Sequence, residues 1–224
     1  MKFGVVVFPG SNCDKDIITA LQDEMQQEVI ELWHKEKDLS MFTKMDCVIL
    51  PGGFSYGDYL RCGAIAKFSP MMQSVIRFAN DGGRVLGICN GFQILCESGL
   101  LPGVLLRNSN MQFVCKNIFI TNENDAHKQI YKIPVAHGEG RYYANVEILK
   151  NLIDNKQIVY RYCDKAGNIT NAADNPNGAS LNIAGICNTE RNVIGMMPHP
   201  ERACSKILNN EDGKKVLSEL FSIN

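Results

Sequence analysis

One cysteine stands in a setting that could activate it as a nucleophile. Cys89 lies between Gly87 and Gly91 in the segment GICNGFQ, directly after the apolar run 84–88. A nucleophile flanked by glycines where a strand meets a helix is typical of a nucleophile elbow, which presents the side chain above the carboxyl edge of a sheet. The amino end of the following helix would also favour the thiolate. A buried cysteine that merely ends a strand would show the same spacing.

Acyl transfer by a cysteine also needs a general base and a carboxylate that orients the base. Among the four histidines, His199 follows the apolar run 193–197 and precedes Glu201 by two positions. Side chains two positions apart lie on the same side of an extended loop, so we expect a hydrogen bond between His199 and Glu201. A histidine that only stabilises its own loop would give the same short motif.

The other three histidines are weaker candidates for the base. His34 and His127 lie among polar residues, and we expect both to be solvated. His137, in the segment VAHGEGRY, remains a candidate for the base. The sequence therefore favours His199 as the base and leaves the role of His137 open.

A glycine-rich segment, PGGFSYGD, follows the apolar run 47–50. Its backbone amides could converge on an anion, but it lacks the Gly-Lys-Ser/Thr ending of a nucleotide-binding P-loop, and Phe54 and Tyr56 are bulky for that purpose. With a thiol nearby, we interpret it as part of an oxyanion hole in which the amides of Gly53 and Asn90 take part. A phosphate loop and a simple tight turn are the alternatives.

Composition excludes several other classes of protein. The 224 residues are 45% hydrophobic and 21% charged, with 23 basic and 24 acidic side chains, so a core can be buried and nucleic acid is a poor partner. Nine cysteines are an odd number without a disulfide framework, which favours a reducing cytoplasm. The apolar opening at 3–8 is too short for a signal peptide or a membrane span. Neither Cys-x-x-Cys nor paired histidines occur at ligand spacing, so we predict no metal site.

These residues need a scaffold that brings them together. Short β-branched runs alternate with helical segments up to residue 100, which predicts an α/β fold with a largely parallel sheet. The predicted strands are 3–8, 28–33, 47–50 and 84–88, and the predicted helices lie near 17–25 and 71–80.

The pattern changes after Pro102. The runs 114–121, 133–136 and 158–162 look like strands with little helix between them, which predicts an antiparallel extension. The segments 182–187 and 193–197 form a hairpin-like pair, followed by a terminal helix near 213–221. We find no linker, and therefore predict a single domain over residues 1–224.

Taken together, the motifs resemble the class I glutamine amidotransferases, whose triad combines a cysteine in Gly-x-Cys-x-Gly-x-Gln with a distal His-x-Glu. Within that family, the chain is most similar to the glutaminase subunits of phosphoribosylformylglycinamidine synthase. The segments that carry the closer resemblance are FPGSNCD, GGFSYGDYLR, CNGFQ, NSNMQF, HGEGRY and MPHPER, which run from about residue 3 to residue 202.

The resemblance implies a flavodoxin-like, three-layer α/β fold with a mostly parallel central sheet and an antiparallel extension. It implies that Cys89 attacks the side-chain amide of glutamine, that His199 with Glu201 moves the proton, and that Gln93 contacts the substrate beside Gly52 and Gly53. Ammonia would pass to a large synthetase subunit that makes formylglycinamidine ribonucleotide in purine biosynthesis, with a small third subunit holding the two together. ATP and magnesium would bind that synthetase, so this chain itself would need no cofactor.

Two other functions are considered. A cysteine hydrolase or stress-response protein on a similar sheet would also use an elbow cysteine, but it would place its histidine elsewhere. A non-catalytic regulatory subunit would have lost part of the triad, whereas all three residues are present. We further predict that Tyr56, Asp58 and Arg61, beyond the oxyanion glycines, transmit a signal from the partner. The alternative is that Asp58 and Arg61 merely form a surface pair.

Overall fold

The computed structural model describes residues 1–122, 124, 128–169 and 174–222, and contains a nine-stranded sheet and a separate two-stranded sheet. The strands are β1 (Lys2–Val7), β2 (Glu28–Trp33), β3 (Cys47–Leu50), β4 (Arg84–Ile88), β5 (Val104–Leu106), β6 (Val114–Thr121), β7 (Ile130–His137), β8 (Arg141–Tyr143), β9 (Ile158–Cys163), β10 (Ile183–Cys187) and β11 (Val193–Met196). The α-helices are α1 (Asp14–Thr19), which continues into a π-helical turn at Ala20–Glu24, α2 (Pro70–Asn80), α3 (Asn90–Glu97), α4 (Val146–Asp154) and α5 (Asp212–Ser222).

The large sheet has the order β2-β1-β3-β4-β11-β10-β9-β6-β7. The five strands from β2 to β11 run parallel, and each later pair is antiparallel. All four residues of β3 and of β11 are buried, as expected for parallel strands that are covered on both faces. Helix α1 packs on β1, α2 and α3 pack on β4, and α5 packs on β7. The predicted fold class is confirmed.

Strand direction explains where the functional segments lie. The carboxyl ends of β1, β3, β4 and β11 meet at one edge, because these strands are parallel. Four antiparallel steps separate β11 from β7, so β7 points the same way as β11 and ends at the same edge. The segments that follow β1, β3, β4, β7 and β11 are therefore neighbours in space, although they span nearly 200 positions of the chain.

The structure corrects the prediction of little helix after Pro102. Helix α4 lies between β8 and β9, and the side chain of Asn145 caps it by accepting a hydrogen bond from the Ile148 amide at 2.8 Å. An asparagine at this position is a capping signal that the sequence itself contains. The short sheet of β5 and β8 was also missed. Strand β7 starts earlier than predicted and includes Pro134, which is tolerated because β7 is an edge strand.

The nine cysteines all lie among the described residues, and all are free thiols. Within the described residues, no helix has the length and apolar character that a membrane span requires.

Candidate active site

The elbow predicted around Cys89 forms between β4 and α3. Cys89 has φ 50° and ψ −103°, a conformation that turns the chain sharply and leaves the side chain 6% exposed. A Cβ at Gly87 would lie 2.6 Å from the carbonyl of Gly91, and one at Gly91 would lie 1.9 Å from the carbonyl oxygen of Leu50. Both glycines are therefore required by the close approach of neighbouring backbones.

His199 and Glu201 form the predicted hydrogen bond, with 2.6 Å between Nδ1 and Oε1. The predicted reason was wrong, because the segment is not extended: Pro200–Ala203 is a 3-10 helix that directs Glu201 back toward His199. The backbone amide of His199 also donates to the carbonyl of Pro134 at 2.8 Å. Both side chains are buried, and His199 Nε2 has no hydrogen-bond partner among the described residues.

The charge on His199 is set by its surroundings. Burial opposes the imidazolium form, but the carboxylate of Glu201 and the charge of Cys89 outweigh it and raise the pKa of His199 to about 10. A buried imidazolium held between a carboxylate and a thiol is suited to stabilising a thiolate and to donating a proton to a leaving group.

The glycine-rich segment closes over the elbow. Gly53 pairs with Ser11 in an isolated bridge, and a Cβ at Gly52 would lie 2.7 Å from Cε1 of His199. The side chain of Asn90 accepts a hydrogen bond from the Ser55 amide at 3.2 Å, which connects this segment to the start of α3. The segment predicted to stabilise an oxyanion is therefore in contact with His199, the candidate base.

A cavity of about 160 Å³ lies in front of the thiol. Its lining includes Cys89, His199, Gly53, Gln93, Asp58, Glu139, Phe113 and Arg202. The side chain of Gln93 donates from Nε2 to the carbonyl of Glu139 at 2.7 Å and accepts a hydrogen bond from the side-chain amide of Asn90 at 2.9 Å. A larger cleft of about 760 Å³ lies at the amino ends of β4 and β11, at the opposite sheet edge from Cys89, and its lining includes Asn80, Gly82, Asn188 and Asn192.

The residues predicted to signal lie in a strained turn next to this cavity. Tyr56, Asp58 and Leu60 all have positive φ angles, which are uncommon for residues other than glycine. Asp58 does not pair with Arg61, so that alternative is wrong. Asp58 instead accepts hydrogen bonds from Asn90 at 3.2 Å and from Cys62 at 3.1 Å.

Arg61 makes a bidentate contact with Glu97, with 2.6 Å for each hydrogen bond, at the last residue of α3. The turn is thus connected to both ends of the helix that carries the elbow.

The structure corrects the prediction for His34 and shows the surroundings of His137. His34 is not solvated: it is 5% exposed, and its Nδ1 lies 2.5 Å from the hydroxyl of Tyr56, whose ring covers it. His127 lies outside the described residues. His137 is buried at the end of β7, and both ring nitrogens contact asparagine side chains, Asn108 and Asn177.

Sequence analysis assigned no role to Cys13, which also lines the cavity. Its thiol accepts a hydrogen bond from Arg202 at 3.1 Å, and burial raises its pKa to about 12, with a further contribution from Glu201. Cys13, His199 and Glu201 each offer one ligand atom, and these atoms lie within 4.8 Å of one another, a donor set that would suit zinc. The signal for Cys13 was its position just after β1, at the edge where the other segments meet.

Comparison with known proteins gives a consistent result. The CobB/CobQ-like glutamine amidotransferase domain matches residues 1–221. The PurQ subunit of phosphoribosylformylglycinamidine synthase from Moorella thermoacetica is 54% identical over 98% of this chain and 95% of its own length. The corresponding subunit from Gloeobacter violaceus is 51% identical over 99% of this chain and 97% of its own length.

Solved structures agree with these sequence matches. A chain in the structure of PurLQS from Thermotoga maritima is 38% identical, with a TM-score of 0.82 over 98% of this chain and 96% of that chain. A Thermotoga maritima glutamine amidotransferase that is 16% identical, with a TM-score of 0.56, shows the fold alone. The resemblance inferred from the motifs is confirmed: the chain belongs to the glutamine amidotransferase family and, within it, to the PurQ subunits of phosphoribosylformylglycinamidine synthase.

Proposed function

We propose that Cys89, His199 and Glu201 are the catalytic triad with which this chain, the glutaminase subunit of phosphoribosylformylglycinamidine synthase, hydrolyses glutamine to glutamate and ammonia. The observation that carries the proposal is the 2.6 Å hydrogen bond between His199 and Glu201 in the cavity into which the elbow presents Cys89. A base oriented by a carboxylate and facing a nucleophile is the arrangement that acyl transfer requires.

The reaction follows from this arrangement. The Cys89 thiolate attacks the side-chain amide carbon of glutamine, and the tetrahedral oxyanion is stabilised by backbone amides of Gly53 and Asn90. His199 protonates the leaving ammonia, and the glutamyl thioester remains on Cys89. His199 then accepts a proton from water, which attacks the thioester and releases glutamate.

Substrate contacts are proposed on the opposite wall of the cavity. Gln93 is 6% exposed and is held by hydrogen bonds to Asn90 and Glu139, so its orientation is set before substrate arrives. We assign it a contact with the bound glutamine. Gly52 is needed at this site because the absence of a side chain leaves room for the His199 ring.

We assign no metal to the Cys13, His199 and Glu201 cluster. Nδ1 of His199 is already hydrogen-bonded to Glu201, and the Cys13 thiol faces the cation of Arg202. A metal would require the Cys13 thiolate, whereas burial raises the pKa of this thiol to about 12 and keeps it protonated. The chemistry of the triad needs neither a metal nor another cofactor in this chain.

The ammonia has a destination in the same assembly. The name PurLQS groups the Thermotoga maritima relative with two other subunits, and we propose that this chain likewise acts with a large synthetase subunit and a small third subunit. ATP and magnesium then belong to the synthetase. Nine free thiols support a reducing, cytoplasmic location, which stays a prediction.

We also propose that the turn carrying Tyr56, Asp58 and Arg61 reports partner binding to the elbow. Asp58 contacts Asn90 at the start of α3, while Arg61 contacts Glu97 at its end. Nearby Tyr59 and Leu60 are 74% and 92% exposed, an apolar surface that a partner could press on. A displacement of this turn by the partner would move Asn90, whose backbone amide is the proposed oxyanion donor.

The triad is tested with Cys89→Ser and, as a matched control, Cys115→Ser, which replaces an exposed cysteine on β6. In the reconstituted complex, Cys89→Ser should lower glutamine hydrolysis by at least about 1,000-fold and leave synthesis from added ammonia intact. Cys115→Ser should change neither activity. Glutamate release by Cys89→Ser at the wild-type rate, or labelling of Cys13 instead of Cys89 by a glutamine-analogue diazoketone, would refute the assignment.

A further inference from the structure

A fully buried polar cluster borders the active-site cavity, which His137 helps to line. It consists of Asn108, His137 and Asn177, which are 0%, 3% and 0% exposed. The three residues come from separate segments: Asn108 follows β5, His137 ends β7, and Asn177 precedes β10. Three buried polar side chains are costly unless all are hydrogen-bonded, so their partners indicate what the cluster does.

Both asparagines form hydrogen bonds with backbone groups of residues 137–140. The side chain of Asn108 donates to the carbonyl of His137 at 2.9 Å and accepts from the backbone amide of Gly140 at 3.0 Å. The backbone amide of Asn108 donates to the carbonyl of Gly138 at 2.9 Å. Asn177 donates to the carbonyl of Gly140 at 2.8 Å. The two asparagines therefore hold both ends of this short loop.

The ring of His137 is fixed by the same two side chains. Its Nδ1 lies 3.2 Å from Oδ1 of Asn108, and its Nε2 lies 3.4 Å from Nδ2 of Asn177. The Asn108 carbonyl oxygen can only accept, so Nδ1 carries the hydrogen. The two hydrogens of Asn177 Nδ2 face three groups, His137 Nε2, the carbonyl of Gly140 at 2.8 Å and the hydroxyl of Tyr162 at 3.2 Å, and the contact with Nε2 is the longest of the three. The ring also fills the space beside Gly140, where a Cβ would lie 2.4 Å from Nδ1.

The loop that is held in this way forms one wall of the catalytic cavity. Just before it, the carbonyl of Ala136 accepts from the Cys89 thiol at 3.8 Å. Within it, the carbonyl of Glu139 accepts from Gln93 at 2.7 Å. A displacement of the loop would therefore move the groups that face the substrate, whereas the His199–Glu201 hydrogen bond is formed by residues outside the loop.

We propose that His137, with Asn108 and Asn177, is a positioning residue that sets the 137–140 loop for glutamine binding and takes no part in proton transfer. Its Nδ1 is hydrogen-bonded to Asn108 and its Nε2 contacts Asn177, whereas Nε2 of His199 makes no hydrogen bond among the described residues. This inference rests on the proposed glutaminase function, since it concerns the binding step of that reaction.

The test compares His137→Asn, His137→Gln and Asn177→Ala with Asn117→Ala, a control on the exposed face of β6. An asparagine side chain can reproduce the Nδ1 donor, and a glutamine side chain can reach toward the Nε2 position. Glutaminase kinetics are measured in the reconstituted complex over about pH 5–9, and thermal unfolding reports whether each variant is folded.

We expect the KM for glutamine to rise about 10-fold in the three cluster variants, with kcat within about 3-fold of wild type and an unchanged pH profile. Loss of one limb of the pH profile in His137→Asn, or a turnover rate reduced by about two orders of magnitude at constant KM, would make His137 the base and overturn the proposal. An unchanged KM in all folded variants would overturn it too. If His137→Asn does not fold, His137→Gln and Asn177→Ala still decide the question. Glutaminase activity retained by Cys89→Ser would instead refute the proposed triad, and it would leave the His137 proposal to be judged by the KM values of its own variants.

Discussion

Replacement of His137 by asparagine should change how acid destabilises the protein. Burial, with a smaller contribution from the charge of His199, lowers the pKa of His137 from 6.5 to about 4 in the folded state. In the unfolded chain the imidazole regains its ordinary pKa of about 6.5. Between these two values the unfolded state binds a proton that the folded state does not, so the free energy of unfolding decreases as the pH falls.

The size of this effect follows from the same two pKa values. The interval from 6.5 to about 4 spans about 2.5 pH units, and each corresponds to about 1.36 kcal/mol, so His137 should cost about 3 kcal/mol of stability on acidification from pH 7 to pH 4. The contribution is complete above pH 6.5 and is lost as the pH falls toward 4. The pH dependence of His199 has the opposite sign, because its pKa is raised to about 10. The stability that comes from its pairing with Glu201 is therefore present below pH 6.5 and is lost as the pH rises toward 10.

Urea unfolding of the wild type and His137→Asn at pH 7, 5.5 and 4 measures this difference. His137→Asn should be the less stable protein at pH 7, and the gap between the two should close by about 3 kcal/mol by pH 4. Carboxylates and His34 titrate in both proteins and cancel in the comparison. A gap that stays constant within about 0.5 kcal/mol would refute the reasoning, because it would mean that His137 is not held neutral by its surroundings.

Three further outcomes are expected. His199→Ala should lower kcat for glutamine at least about 10-fold more than Glu201→Gln, because the base transfers protons and the carboxylate only orients it; equal losses in steady-state assays would contradict these roles. Gly91→Ala should lower stability by about 1–3 kcal/mol or prevent folding, since its Cβ would lie 1.9 Å from the Leu50 carbonyl oxygen, and an unchanged melting temperature would show that the elbow can relax. Arg61→Ala should reduce glutaminase activity much more in the complex than in the free subunit and should weaken coupling to product formation, whereas equal losses would restrict the turn to local chemistry.

Much of the parallel half of the fold was predictable from the sequence. The strands at 28–33, 47–50 and 84–88 were predicted with the bounds observed. The runs 47–50 and 84–88 are strongly apolar, and each has a glycine or proline beside it, which leaves few alternatives. Helix α4 was missed although Asn145 caps it. The number of domains stays a prediction.

The candidate site was predictable where a short motif carries its own geometry. Cys89 between two glycines, and His199 two positions before Glu201, could be recognised within a few residues of chain. Cys13 was signalled only by its position after β1. Asn108 and Asn177 could not be recognised, since their contacts come from segments that are distant in sequence, and buried asparagines have no periodic signature.

The sequence by itself therefore predicted the candidate nucleophile and the candidate base, and it determined the parallel sheet that carries them, since these depend on local turn chemistry and on hydrophobic patterns. Only the tertiary structure decided that His34 is buried, that Asp58 contacts Asn90 instead of Arg61, and that His137 is clamped between two asparagines. The physical reason is that burial and hydrogen-bond partners depend on which strand ends share an edge of the sheet. That arrangement is set by the pairing of strands far apart in the chain, which no local pattern records.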